Sequence, residues 1–445
     1  MSRLFGRDAR RALPTAVRAE GIYIYDDTGK GYLDASGGAA VSCLGHGHPV
    51  VREAIKQQID RLAYAHTSFF TNEPQEQLAE DLTRHAPMAL SRAMFVTGGS
   101  EATESALKLA RQYHVERGQP ERRHFISRWC GYHGNTLGAL SVSGHHGRRK
   151  TFLPLLHDAI HISPCYPYRG KRRGESDAEY GLRVADELEA AITKAGPPSV
   201  AAFIAEPVVG ATLGAVAAVA GYFKRVREIC DRHGVLLILD EVMCGMGRTG
   251  TLHACEQEGV VPDILLMAKG LGAGYQPIGA LLVAEKIYQA IAAGSGAFNH
   301  GHTYMGHAVA CAAALAVQQV IRSENLLENV QRQGRRLDSR LRERFAAHPH
   351  VGDIRGRGLL RAIELVRDRD TREPFPIADE LHTRIKQQAM TEGLICYPGR
   401  GAVDGERGDH VLIAPPFNVT DAEIDAIVAA LGSAVDGAIR ARRTS

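Results

Sequence analysis

Four apolar runs in this 445-residue chain end on residues able to do chemistry. Gly98-Gly99-Ser100 follow MFVT, Glu206 follows VAAFIA, Asp240-Glu241 follow VLLIL, and Lys269 follows ILLMA. In open parallel sheets ligands sit beyond the carboxyl ends of the strands, so polar residues there are the first to weigh. A strand that ends in TGGSEA, with a helix opening at Ser100, offers free backbone N–H groups and the positive end of a helix dipole. Those features hold a phosphate without a lysine; they also suit a plain turn before a capped helix. A carboxylate at the end of VLLILD is costly to bury without a cationic partner. A protonated pyridine nitrogen is one such partner, and a salt bridge at the strand end or a metal ion is another. Lys269 comes 29 residues after Asp240, between an apolar run and the spaced glycines of KGLGAG. A desolvated amine there can form an imine with an aldehyde and carry a proton between carbons, whereas most lysines after a strand are simply solvated. The glycines speak against the solvated reading, because they let backbone approach a ligand closely.

Tyr132, in GYHGNT, offers a flat ring suited to stacking on a heteroaromatic ligand, and His133 beside it can hydrogen-bond within the same site. An ordinary half-buried tyrosine is the alternative. Together, Lys269, Asp240 and Tyr132 form a set that would serve pyridoxal 5′-phosphate (PLP), whose ring is an electron sink when its nitrogen stays protonated. Other motifs point less far. GMGRTG (Gly245 to Gly250) matches GxGxxG, but the preceding strand ends at Asp240, so a dinucleotide fold is not expected. His46-Gly47-His48, His145-His146 and His300-Gly301-His302 lack helical spacing and nearby Cys or acid partners, so no metal site is expected. There is no GxxxxGK[ST].

The elements that must position these residues read as α/β. Short, nearly wholly apolar runs suit strands buried on both faces, and they alternate with helical patterns. The expected strands are Met94 to Thr97, Val200 to Ala205, Val235 to Leu239, Ile264 to Met267 and Ile278 to Val283. GYFKRVREICDRHG (Gly221 to Gly234) reads as a crossover helix stopped by Gly234, and EATESALKLARQY as another, with Ser100 as its cap. A hairpin-like run, GIYIYDDTGKGYLDASG, precedes residue 65; a charged helix and a mixed Pro- and Gly-containing segment follow residue 325. The expected division is residues 1–65 and 326–445 in a small domain and 66–325 in a large ligand-binding one.

Composition narrows the partners. With 44% hydrophobic and 23% charged residues and a net charge of +3, the chain is an ordinary globular one with no basic tract for nucleic acid or anionic lipid. Eight cysteines without a CxxC pair suggest a reducing, cytoplasmic setting. The most apolar stretch, Val200 to Phe223, is interrupted by Glu206, Pro207 and glycines, so no membrane span is expected.

The segments FVTGGSEATESALKLARQY, YHGNT, AEPV, DEVMCGMGRTG, AKGLGAGYQPIGA and HGHTYMGHAVA resemble, in order and spacing, the class III PLP-dependent aminotransferases, over roughly residues 20–435. The resemblance implies fold type I: a large domain with a mixed, mostly parallel seven-stranded sheet, a small α+β domain from both chain ends, and a homodimer with shared active sites. It implies that Gly99 and Ser100 bind the cofactor phosphate, Tyr132 stacks on the ring, Asp240 pairs with the pyridine nitrogen and Val242 packs beneath it. Lys269 would be the Schiff-base and proton-transfer lysine, Thr303 would reach the partner subunit's phosphate, and Glu206 is similar to a gate carboxylate that pairs with a mobile arginine. The chain departs from the pattern at Met243, at Met305 and Ala308, and at Leu412, where ornithine- and GABA-type members carry arginine. For substrate carboxylates the Gly-rich stretch YPGRGAVDGERGDH offers Arg407 and, second, Arg400.

The expected activity is transamination of a primary amine or ω-amino acid with a 2-oxo acid acceptor such as pyruvate. The same lysine could serve an amino-acid racemase or a dialkylglycine-type decarboxylase. A nicotinamide-dependent oxidoreductase resting on GMGRTG and a noncatalytic binding relative are the readings of other classes.

Overall fold

The computed structural model describes residues 3–8 and 12–442. Its centre is a seven-stranded sheet formed by β1 (Leu90–Val96), β2 (His124–Arg128), β3 (Ile160–Ile162), β4 (Val200–Ala205), β5 (Leu236–Asp240), β6 (Ile264–Met267) and β7 (Gly279–Ala284). The order across the sheet is β1-β7-β6-β5-β4-β2-β3. β7 runs antiparallel to both β6 and β1, and the β6-β5-β4-β2-β3 pairs are parallel.

The apolar runs follow from this placement. Along β5, Leu237 and Leu239 enter the core on one face while Leu236 and Ile238 enter the core on the other. β6 does the same, with Leu265 and Met267 against Ile264 and Leu266. Successive side chains of a strand point to opposite faces, so a strand covered on both sides has no polar alternation to show. One face is covered by helix α1 (Gly99–Glu116), which packs on β4, β6 and β7. The other carries α2 (Asp177–Ala195) and α3 (Tyr222–His233), packed together. In α3, Tyr222, Phe223, Val226, Ile229 and Cys230 are buried, and Gly234 ends the helix in the left-handed region at φ +61°.

The two chain ends share structure. Ala16–Glu20, Tyr23–Asp26 and Gly31–Asp34 form a sheet that Leu394–Ile395 joins in parallel beside Gly31–Asp34. One apolar cluster runs from Ile22 and Val51 through Val317 to Leu337, Ile385 and Ile427. A four-stranded antiparallel sheet, Val351–Arg357, Leu360–Leu365, Asp409–Ile413 and Tyr397–Arg400, lies in the C-terminal part. Among the described residues no helix is long and apolar enough to cross a membrane, and no group of His, Cys, Asp and Glu could hold a metal ion.

The strand expectations hold at Val200–Ala205 and Ile264–Met267, shift by one residue for β5 and β7, and miss the start of β1, which runs from Leu90 to Val96 rather than from Met94 to Thr97. One detail is corrected. Ser100 does not cap α1: the helix begins at Gly99 after Gly98, with no side chain capping it, and Ser100 lies inside the first turn.

Candidate active site

The polar strand ends meet in one cavity of about 500 Å³, lined by Gly99, Ser100, Tyr132, His133, Glu206, Asp240, Val242 and Lys269, together with Thr97, Met243 and Gln276. The residues that follow β1, β2, β4 and β6, with the last residue of β5, supply these groups, so residues distant in sequence converge.

Asp240 is the last residue of β5 and is 3% exposed. Its Oδ1 accepts from the Val242 N–H at 3.0 Å, and its Oδ2 lies 2.8 Å from His133 Nδ1. An ionised carboxylate only accepts, so His133 Nδ1 donates. His133 is held in turn: its N–H donates to Ser143 Oγ at 2.8 Å and its carbonyl accepts from Thr103 Oγ1 at 2.7 Å. The other ring nitrogen, Nε2, is buried without a hydrogen-bond partner among the described residues. The pairing makes His133 a group that positions Asp240, which local sequence could not reveal.

Lys269 follows β6 with φ +46°, a left-handed conformation that a non-glycine residue adopts at some cost. No ion pair or hydrogen bond of its amine occurs among the described residues. Burial lowers its pKa, although the charges of Asp240 and Glu206 pull the other way. The amine is thus biased toward its neutral, nucleophilic form.

The start of α1 leaves its first N–H groups uncapped beside the cavity. Gly99 is required by contact: a Cβ there would stand 2.9 Å from Val242 Cγ1. Ser100 Oγ accepts from the Asn135 N–H at 3.0 Å, which leaves its proton free to donate. Glu206 is 5% exposed, and each of its oxygens accepts a backbone N–H at 3.0 Å, from Tyr132 and from Gly210. Burial pushes its carboxyl up, with His133 pulling it down. It therefore ties the Tyr132 loop to the segment after β4. The half-buried Tyr132 carries the Arg148 guanidinium 4.6 Å from its ring centroid, and burial raises its hydroxyl.

These groups fit PLP: a half-buried amine without a partner among the described residues, a buried carboxylate lining the same cavity, and an uncapped helix start. Three other expected residues lie elsewhere. Thr303 is exposed, with its carbonyl accepting from the Tyr64 hydroxyl at 2.8 Å. Arg407 is exposed and bound to Asp404, Nε to Oδ2 at 2.6 Å and backbone N–H to Oδ1 at 2.7 Å. Arg400 is exposed as well, and neither arginine lines the cavity. Leu412 is wholly buried in an apolar cluster with Met243 and Leu360. In GMGRTG, Arg248 is 1% exposed and donates to the carbonyls of Leu359 and Pro415, so the motif joins parts of the chain.

The family model for class III aminotransferases matches residues 5–435. An uncharacterised aminotransferase of Schizosaccharomyces pombe is 46% identical over 439 residues, covering 98% of this chain and 96% of the relative. A gamma aminobutyrate transaminase 3, chloroplastic, of Solanum lycopersicum is 35% identical over 94% of this chain and 79% of its own length. Among solved structures, a thermostable (S)-enantioselective omega-transaminase of Thermomicrobium roseum superposes with a TM-score of 0.91 at 36% identity, over 97% of this chain and 94% of that one. An omega-transaminase of Pseudomonas jessenii in complex with PMP gives the same score and identity, over 96% and 93%.

Proposed function

Because the chain belongs to the class III aminotransferases, a PLP-dependent family, we propose that it moves an amino group from a primary amine or ω-amino acid to a 2-oxo acid such as pyruvate. The observation that carries the reading is the convergence of Lys269, Asp240 and the uncapped start of α1 on one cavity. The likeness to an (S)-enantioselective omega-transaminase supports an amine donor.

PLP supplies an aldehyde and a conjugated pyridinium that takes up the electrons of the substrate C–H bond. The first N–H groups of α1, with the Ser100 hydroxyl, hold the phosphate. Asp240, fixed by His133, would pair with the pyridine nitrogen and favour its protonated form. Tyr132 and Val242 confine the ring. Lys269 would hold the cofactor through Nζ and, as a free base, would be the group placed to move a proton at the substrate carbon.

Thr303 belongs, on this reading, to the site of a second subunit. Tyr304, Phe69 and Phe70, on and near its loop, are 58%, 78% and 67% exposed, an apolar surface suited to a second copy of the chain.

A donor panel of amines and amino acids, with pyruvate as acceptor and PLP added, tests the function. Alanine should form from pyruvate with at least one amine. Racemisation of an amino acid without any acceptor, or no reaction in either assay, would overturn the reading.

A further inference from the structure

We propose that Arg148 is the carboxylate-binding residue of this cavity, seating the 2-oxo acid acceptor and the amino-acid product; the proposal rests on the amino-transfer reading above. A carboxylate taken from water into a half-apolar cavity needs a cation, or its desolvation goes uncompensated. The cations near the site differ in what they have left to give. Lys269 is committed to the cofactor aldehyde. Arg128 is 2% exposed and donates to the carbonyl of Glu206. Arg149 is 9% exposed and rests near the Trp129 ring. Arg407 is engaged by Asp404, and Arg400 lies outside the cavity wall.

Arg148 does not line the cavity either, but unlike Arg400 its guanidinium rests on the ring of a residue that does. It stands on the single turn His146–Arg149, solvent-exposed, with its guanidinium carbon 4.6 Å from the ring centroid of Tyr132. Tyr132 is itself cavity wall, so the cation lies at the rim. Among the described residues its guanidinium has no carboxylate partner and no hydrogen bond. Burial raises the Tyr132 hydroxyl and lowers the Lys269 amine; the Arg148 charge opposes the first and adds to the second. Arg7 also acts on the Tyr132 hydroxyl. A guanidinium resting over an aromatic face keeps its N–H edge free, and that edge matches a carboxylate in two parallel hydrogen bonds. A neutral amine donor has no use for it. One cavity can thus take both partners without moving a buried charge.

The test measures binding and turnover in the PLP-loaded protein. Oxamate, an unreactive isostere of pyruvate, is titrated by calorimetry against wild type and Arg148→Ala, Arg148→Lys, Arg407→Ala, Arg400→Ala and Arg7→Ala. Loss of a charge-assisted pair should weaken oxamate binding in Arg148→Ala about 10- to 100-fold, with partial recovery in Arg148→Lys, which keeps the charge but not the fork. KM for pyruvate should rise about tenfold more than KM for 1-phenylethylamine. If Arg148 merely props Tyr132, both constants rise together, the visible band of the bound cofactor weakens, and the proposal is overturned. It is overturned equally if oxamate binding survives in Arg148→Ala and falls in the Arg407, Arg400 or Arg7 variant. A wild-type protein that binds oxamate through Arg148 but transfers no amino group would sink the functional reading and leave the binding assignment standing.

Discussion

His133 Nδ1 lies 2.8 Å from Asp240 Oδ2, joining residues 107 apart in sequence whose side chains are 1% and 4% exposed. A carboxylate so buried is held in one orientation by a donor that is itself pinned through Ser143 and Thr103. The pair is the foundation on which the pyridine nitrogen would rest.

Removing the donor should therefore loosen Asp240 without emptying the site. A hydrogen bond to a charged group contributes about 1.5–3 kcal/mol, so His133→Ala should lower kcat roughly 10- to 100-fold while the α1 end still retains the phosphate. The double variant with Asp240→Asn should lose little more than Asp240→Asn alone, because the two act as a unit. Steady-state rates and equilibrium dialysis of PLP check both. Additive losses would mean that His133 acts independently of Asp240.

Lys269→Ala should abolish transamination, since no other amine lines the cavity. The same change should leave the cofactor-free protein as stable as before, or slightly more so. Among the described residues the wild-type amine has no partner, and removing it relieves the desolvation of its ammonium. Thermal unfolding of the two apo proteins decides the point; a melting temperature lower by several degrees in the variant would show that Lys269 has a structural partner.

Burial also sets a pH dependence. It disfavours the Lys269 ammonium, so the neutral amine that attacks PLP persists to lower pH than in a solvated lysine. The rate of reconstitution with PLP should rise with pH through a midpoint below the ordinary lysine value of about 10.4. Asp240 raises that pKa, so Asp240→Asn should move the midpoint further down. A midpoint that moved up would reverse the sign of the interaction.

The strands Val200–Ala205 and Ile264–Met267 were legible to the residue because both their faces are covered, leaving an unbroken apolar run. His124–Arg128 and Ile160–Ile162 were not, because toward the edge of the sheet Ser127 and His161 sit among apolar neighbours and the runs are short. Gly99, Asp240 and Lys269 could be picked out because Asp240 ends a strand and the other two follow one within three residues. The pairings that finish the site could not. His133 meets Asp240, and Arg148 meets Tyr132, only once separate crossovers fold over the sheet, and no local periodicity encodes those meetings.

Thr303 tests the shared site. If it serves the second subunit, mixed dimers of Lys269→Ala and Thr303→Ala chains should contain one site with both defects and one with neither. Activity should then reappear on mixing, approaching a quarter of wild type for random exchange. Subunit exchange is followed independently with a labelled chain. Exchange without recovered activity would place Thr303 outside any shared site.

Glu206 separates a gate from a staple. The resemblance suggests a carboxylate that pairs with a mobile arginine, yet both its oxygens accept backbone N–H groups, and Arg400 and Arg407 are outside the cavity wall. Burial favours its neutral acid, which can still accept at both oxygens. Glu206→Gln keeps one acceptor and turns an NH2 group toward the other N–H. The buried donor left unmatched should cost about 1–3 kcal/mol, seen as a lowered unfolding midpoint. A staple does not distinguish charged from neutral donors, so the ratio of kcat/KM for an amino acid to that for 1-phenylethylamine should stay nearly unchanged. A large change in that ratio with unaltered stability would make Glu206 the gate.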